Sequence, residues 1–408
     1  MKKTALSIAV MVALSSVGNA SELSELKEQM EVMAEKIAAM EAKAAEKKDE
    51  KKVEIKNATQ ITSKSPTVEM SGTHYLGFTS KDTNQAGVAG QRKNGFETRR
   101  NYIQTKAYFK ENPKDYVRVT LDTYRDGSTA ENGTTKGYSD VILKYAYLYL
   151  DEVLPFTGVE LGQVHRPWID YEEHGGWNHR SIAKVFVEDK EGGADWTNSA
   201  DLGVNFKTKT PYFSSELGLF NGEGYHRVDD AASLSSNNNG LSGEWRLTGH
   251  ILGTGKEKRN DKLQYADVSF FGQANQDNRK GAIVANTNDD FNWYGLHAVY
   301  NQPEFLIAAQ YIATKDAGPA YDGKGYSVNG EYRFTPEISM IARYDNFDIK
   351  DNSAALADKT NKLIGASYAY NKNVKFFANY LETETKNATT ATSNFKTDAI
   401  MATAEVNW

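Results

Sequence analysis

From Val68 to the last residue, apolar side chains recur at every second position. "DYVRVTLDTY" sets Val117, Val119 and Leu121 against Arg118, Thr120 and Asp122. "ADLGVNFK" sets Ala200, Leu202, Val204 and Phe206 against Asp201, Asn205 and Lys207. "YSVNGEYRF" sets Tyr326, Val328, Tyr332 and Phe334 against Ser327, Asn329, Glu331 and Arg333, and "ISMIARYDNF" sets Ile338, Met340, Ala342 and Tyr344 against Ser339, Arg343 and Asp345. At the end, Ile400, Ala402, Ala404, Val406 and Trp408 are assigned to one face, and Asp398, Met401, Thr403, Glu405 and Asn407 to the other. Successive side chains of a strand point to opposite faces, so this period predicts half-buried antiparallel strands. A content of 32 Gly and 23 Tyr against 8 Pro suits strands and turns.

The connections suggest what these strands enclose. "KENPKD", "NQPE" and "RFTPE" read as tight turns. "SKDTNQAGVAGQRKNG", "HRVDDAASLSSNNNGLSG", "QANQDNRKGAIVANTNDD" and "DIKDNSAALADKTN" read as long polar loops. Short and long connections taking turns is the layout of an outer-membrane barrel, whose strand number is even. The expected fold is therefore all-β, a transmembrane antiparallel β-barrel of about 16 strands over residues 67–408. Its polar faces would look onto a water-filled lumen and its apolar faces onto lipid. Such a barrel accounts for a chain that is only 39% hydrophobic and has no later apolar run long enough for a membrane helix. Tyr145, Tyr147 and Tyr149 in "KYAYLYLDE" are expected on an interfacial aromatic girdle. A last strand ending in Trp408 resembles the C-terminal signal read by the outer-membrane assembly machinery. Pairing of that strand with the first would remove both sheet edges and close the barrel.

The N-terminal part has a different character. "MKKTALSIAVMVALSSVGNA" combines two lysines, an apolar stretch from Ala5 to Leu14 and small residues at Gly18 and Ala20, the layout of a signal peptide over residues 1–20. Export of a chain without cysteine points to the Gram-negative envelope. Over residues 21–52, Leu23, Leu26, Met30, Met33, Ile37, Met40 and Ala44 are spaced by threes and fours. That seam predicts a short α-helical coiled coil, with a single amphipathic helix as the alternative. Residues 53–66 read as a charged linker. The formal charge is -6, and -8 without Lys2 and Lys3, which argues against a nucleic-acid partner.

Three segments, "FETRRNYIQTKAYFKENPKDYVRVTLD", "VELGQVHRPWIDYEEHGGWNHRS" and "SADLGVNFKTKTPYFSSELGLFNGEGY", lie between Phe96 and Tyr225 and resemble the phosphate-selective porin O/P family of Gram-negative outer membranes. The resemblance implies a sixteen-stranded trimeric porin. It also implies a loop after an early strand that folds inward and narrows the channel, and a short periplasmic coiled coil like Leu23 to Ala44. The loop's counterpart here is "RPWIDYEEHGGWNHRSIAKVFVED", which carries Arg166, Asp170, Glu172, Glu173, His174, His179 and Arg180. Both signs in one segment are expected to set a transverse field in the pore; the alternative is that these charges simply solvate an extracellular loop. Strand parity alone assigns Arg118, Lys144, Lys207, Arg333 and Arg343 to the lumen, among Asp122, Asp201, Glu331 and Asp345. No run of lysines or regular ladder of arginines accompanies them, which departs from what phosphate selectivity calls for.

Other chemistries find less support. His165, His174 and His179 with Asp170, Glu172 and Glu173 match no metal-ligand spacing, "GTGKEK" lacks the full phosphate-loop pattern, and no Gly-x-Ser-x-Gly elbow occurs. No catalytic residue, metal or cofactor is expected. The first expectation is a passive diffusion channel for small hydrophilic solutes or ions, in contact with outer-membrane lipid and the assembly machinery, and assembled as a homotrimer. The second is a non-conducting barrel that anchors the envelope through its N-terminal stalk.

Overall fold

The computed structural model describes residues 67–85, 87–88, 90, 92–124, 140–222, 224–225, 241–275, 290–316, 322–351, 354–387 and 394–408. The signal segment 1–20, the coiled-coil seam of 21–52 and the linker 53–66 lie outside the described residues.

Sixteen strands follow one another: β1 (Thr67–Gln85), β2 (Lys93–Tyr108), β3 (Tyr116–Tyr124), β4 (Asp140–Leu154), β5 (Thr157–His165), β6 (Ala200–Lys209), β7 (Phe213–Phe220) and β8 (Ser242–Leu252), then β9 (Tyr265–Asn275), β10 (Asn292–Gln302), β11 (Phe305–Asp316), β12 (Asp322–Arg333), β13 (Ile338–Asp351), β14 (Ala354–Ala369), β15 (Val374–Asn387) and β16 (Phe395–Asn407). Each pairs antiparallel with its neighbours, and β16 pairs with β1 to close the barrel. The closing register runs from Thr73 opposite Asn407 to Gln85 opposite Phe395. Beyond it, the Gly72 and Trp408 backbones exchange hydrogen bonds of 2.9 and 3.0 Å.

The period of two decides the faces. Val119, Leu217, Val268, Leu296, Ile307 and Ile400 are exposed on the outside. Burying such side chains is worth about 1.5–3 kcal/mol each, so a ring of them facing water would be untenable and lipid is the fitting surround. Asn205, Ser269, Ser327, Asp345 and Asn361 alternate with that outer set and are buried on the inside.

The structure departs from the sequence expectation in four places. Within the stretch 348–361, residues 348–351 and 354–361 are strand and not loop: β13 runs to Asp351 and β14 starts at Ala354, with Asp348 opposite Asp358. Polar side chains on both faces do not end a ladder, because the backbone groups still pair. Asp398 shares the outer face with Ile400, not the inner face with Thr403: its carboxylate accepts a 2.6 Å bond from Tyr380, whose ring is exposed. Tyr145 and Tyr147 are not girdle residues; they are buried inside against Val164, Ala200, Phe220 and Tyr225. The cause is a bulge in the β3–β4 ladder, where Thr120 faces Tyr145 and Leu121 faces Leu143, leaving Lys144 unpaired. An extra residue turns two neighbours to the same side. The fourth departure is that the interior is not wholly wet, as the loop after β5 makes clear.

Candidate functional site

The connection between β5 and β6, residues 166–199, does not stay outside. It opens with the short helix α1 (Ile169–Gly175) and crosses the barrel interior. Trp168, Trp177, Ile182, Phe186, Val187 and Trp196 of this segment form one buried apolar core with inward side chains of the far wall, among them Phe271, Trp293, Ile312, Ile341, Phe347 and Leu363. The Trp168 ring lies on Phe271 at 3.5 Å, within 4° of parallel. Trp196 meets Phe347 edge-on at 5.2 Å. Burial of this many aromatic rings supplies the energy that holds a polar-flanked loop inside a barrel.

Polar contacts complete the docking. Gln310 of β11 donates to Glu172, Asn329 of β12 to the Gly176 carbonyl at 2.9 Å, and Arg343 of β13 to the Lys184 carbonyl at 2.6 Å. Lys359 of β14 donates to the Lys190 and Gly193 carbonyls. From the other side, Arg99 of β2 donates to the Ser181 carbonyl at 3.0 Å, and Lys81 of β1 pairs with Glu191 at 3.3 Å. The loop is thus held from both walls, with a dry core against one of them.

The charges selected from the loop go to different partners. Arg166 is buried and makes a forked contact with Glu244, with Nε at 2.8 and 2.9 Å from the two oxygens. Asp170 lies within 3.8 Å of His165 and 3.7 Å of His174. Glu172 is buried in the core, and burial pushes its carboxyl up to about 7 against an ordinary 4.5. Glu173 pairs with Arg180, which also grips Glu188 at 2.7 Å. His179 is buried 3.6 Å from Glu331, and burial pushes its imidazole down. His174 is exposed. Of the histidines and carboxylates weighed as a metal cluster, Asp170 lies near two of the histidines and the others go to separate partners; among the described residues no group of three or more is placed to hold a metal ion.

The residues assigned by strand parity all point inward. Arg118 stacks over Tyr145 at 4.6 Å and lies 3.1 Å from His165. Asp122 is fully buried and accepts from Arg100 at 2.7 Å. Lys144 donates to the Tyr102 hydroxyl at 3.0 Å. Lys207 bridges Glu160 at 3.3 Å and Glu216 at 3.4 Å. Arg333 pairs with Glu331 at 2.8 Å and Arg343 with Asp345 at 2.9 Å. Sequence reading missed Arg99 and Arg100, two adjacent arginines that both face in. A second bulge, between Tyr75 and Leu76, pairs Tyr75 with Arg100 and Leu76 with Thr98 and leaves Arg99 over. The only trace of it in the sequence is the doubled arginine of "ETRRNY".

An apolar outside, a charged inside and a loop folded across the lumen are the parts of a passive diffusion channel of the outer membrane. The chain belongs to the Gram-negative porin family, whose family model matches residues 7–388. No curated protein sequence matches it. Among solved structures it is similar to the outer-membrane expressed OmpT of Vibrio cholerae, at 13% identity and a TM-score of 0.55, over 86% of this chain and 100% of that one. It is also similar to an anion-selective porin from Comamonas acidovorans, at 12% identity and a TM-score of 0.56, over 84% and 99% of the two chains. A third likeness is to the outer membrane channel DcaP of Acinetobacter baumannii, at 11% identity and a TM-score of 0.53, over 84% and 97%. At these identities the likeness is one of fold.

Proposed function

We propose that segment 166–199 narrows this channel, and that its charges, together with those of the facing strands, sort small hydrophilic solutes and ions. The observation that carries the reading is the double anchorage of the loop, by a dry core on one wall and by Arg99 and Lys81 on the other. Simple solvation of an outer loop fits poorly with Arg166, Glu172, His179 and Arg180 being buried. Phosphate as the particular cargo is less well supported. Arg100, Arg166, Lys207, Arg333 and Arg343 are each paired with a carboxylate, which favours a general channel over one of the phosphate-selective O/P kind.

Two further parts of the reading rest on resemblance. A homotrimer is consistent with a similar structure, OmpT of Vibrio cholerae in a trimer form. The Leu23–Ala44 seam would then bundle in the periplasm.

Liposome swelling with neutral sugars of increasing size tests the loop's role. Wild-type vesicles should admit sugars up to a sharp limit, and a barrel with 177–195 replaced by a short Gly-Ser link should admit larger ones. An unchanged limit in the shortened but folded barrel would remove the loop from the role given to it.

A further inference from the structure

We infer that the passage is tightest at a neck between Tyr75 of β1 and Arg180 of the inward loop, and that the fixed charge of the wall differs on its two sides. The inference rests on the reading of segment 166–199 as the narrowing element and adds where the neck lies and what flanks it.

The loop's apolar core packs against inward side chains of β9–β15, and open space remains beside it, along β1–β3 and, toward the short-turn ends, reaching β12, β15 and β16. Two cavities occupy it. One, of about 370 Å³, lies toward the long-loop ends, and its charged lining residues are Arg99, Arg100, Arg180 and Lys184. The other, of about 580 Å³, lies toward the short-turn ends; Glu173, Asp261, Glu331 and Glu405 line it together with Arg259 and Lys375. Tyr75 and Arg180 line both. A solute moving from one cavity to the other therefore passes these two side chains.

Both are fixed in place. Tyr75 is buried and meets Tyr102 edge-on at 6.3 Å. Arg180 reaches Glu188 through both of its terminal nitrogens, at 2.7 and 3.1 Å, and pairs with Glu173 as well. In the smaller cavity the partners of the cations stay out of the lining: Asp122, which pairs with Arg100, and Glu188, which pairs with Arg180 and Lys184, are buried, and Glu97, which pairs with Arg99, does not line it. A passing ion is thus closer to the cations than to their counter-charges, and Coulomb energy falls with distance, so the wall acts as positive. In the larger cavity carboxylates stand in the wall itself. A narrow pore whose fixed charges differ at its two ends fills with mobile ions differently under the two voltage polarities, so its current should rectify where screening is weak.

The test is single-channel recording in planar bilayers, with sugar uptake by liposomes in parallel, on wild type, Tyr75→Ala, Tyr75→Phe and Lys184→Glu. Each variant is first checked for the heat-modifiable gel mobility of a folded barrel. Tyr75→Ala should raise the conductance and move the sugar limit upward, while Tyr75→Phe, which keeps the ring, should leave both at wild-type values. Wild type should rectify at low salt, and Lys184→Glu, a loop-surface change that reverses one wall charge, should reduce the asymmetry. A folded Tyr75→Ala barrel with wild-type conductance and sugar limit overturns the neck. Symmetric wild-type currents at low salt, or unchanged rectification in Lys184→Glu, overturn the charge difference. A wild-type barrel that carries no current at all overturns the channel reading itself, which is a different failure.

Discussion

Glu172 sits where a carboxylate is least at home, in the dry core under the inward loop, with Gln310 donating to it. Water is excluded there, so the charged form is penalised and its carboxyl ionises near 7 when the loop is docked, against 4.5 when free. As pH rises, the undocked loop gives up this proton first. The contribution to docking is therefore complete below 4.5, is lost as pH climbs to about 7, and amounts at most to about 3 kcal/mol. Near-ultraviolet circular dichroism of the loop tryptophans should show a thermal midpoint that falls across that window in wild type and stays level in Glu172→Gln; an equal slope in both would remove Glu172 as the cause. Legibility at this scale was uneven. Parity placed Arg118 and Asp122 on the inner face because the extra residue of the β3–β4 bulge lies on β4 and leaves the alternation of β3 intact. It misled at Tyr145 and missed Arg99 because a bulge inserts one residue with no change in the residue types that carry the alternation. The misplacement of Asp398 has no such excuse, since a period of two already sets it beside Ile400.

At the level of elements, the seam between β1 and β16 decides whether there is a barrel at all. A closed ladder removes the two unpaired edges that lipid cannot satisfy. Trp408 closes it: its indole nitrogen donates to His74 at 2.9 Å, and its ring stacks on that of His74 at 6.4 Å. Room for the ring is made by Gly72, where an added Cβ would fall 2.5 Å from it. Gly72→Leu should therefore displace the indole and lower the yield of heat-modifiable barrel, whereas Gly95→Ala, in β2 with open space around its Cβ, should not. Equal yields would show that the indole seat does not matter for closure. The strands and their order were legible because alternation persists over most of the chain. The docking of 166–199 was legible only through family resemblance, although its cause is written in the sequence. A loop rich in Trp, Ile, Val and Phe, facing strands whose inward positions carry Phe271, Ile312, Ile341 and Phe347, has to bury both sets.

The whole molecule reconciles two demands on one interior. Packing needs a dry contact to hold the loop, and transport needs a wet path beside it. The apolar core takes much of the β9–β15 wall, and charged side chains of β2, the loop and, toward the short turns, β12, β15 and β16 line the open space beside it. The expectation that every inward side chain meets water was thus too simple, and the correction strengthens the channel reading, because a firmly docked loop gives a pore of fixed width. Planar-bilayer recording of the purified, folded chain tests this most directly. The account predicts stable, discrete steps of ion current as single barrels insert; a heat-modifiable, correctly folded barrel that inserts and stays electrically silent would contradict it.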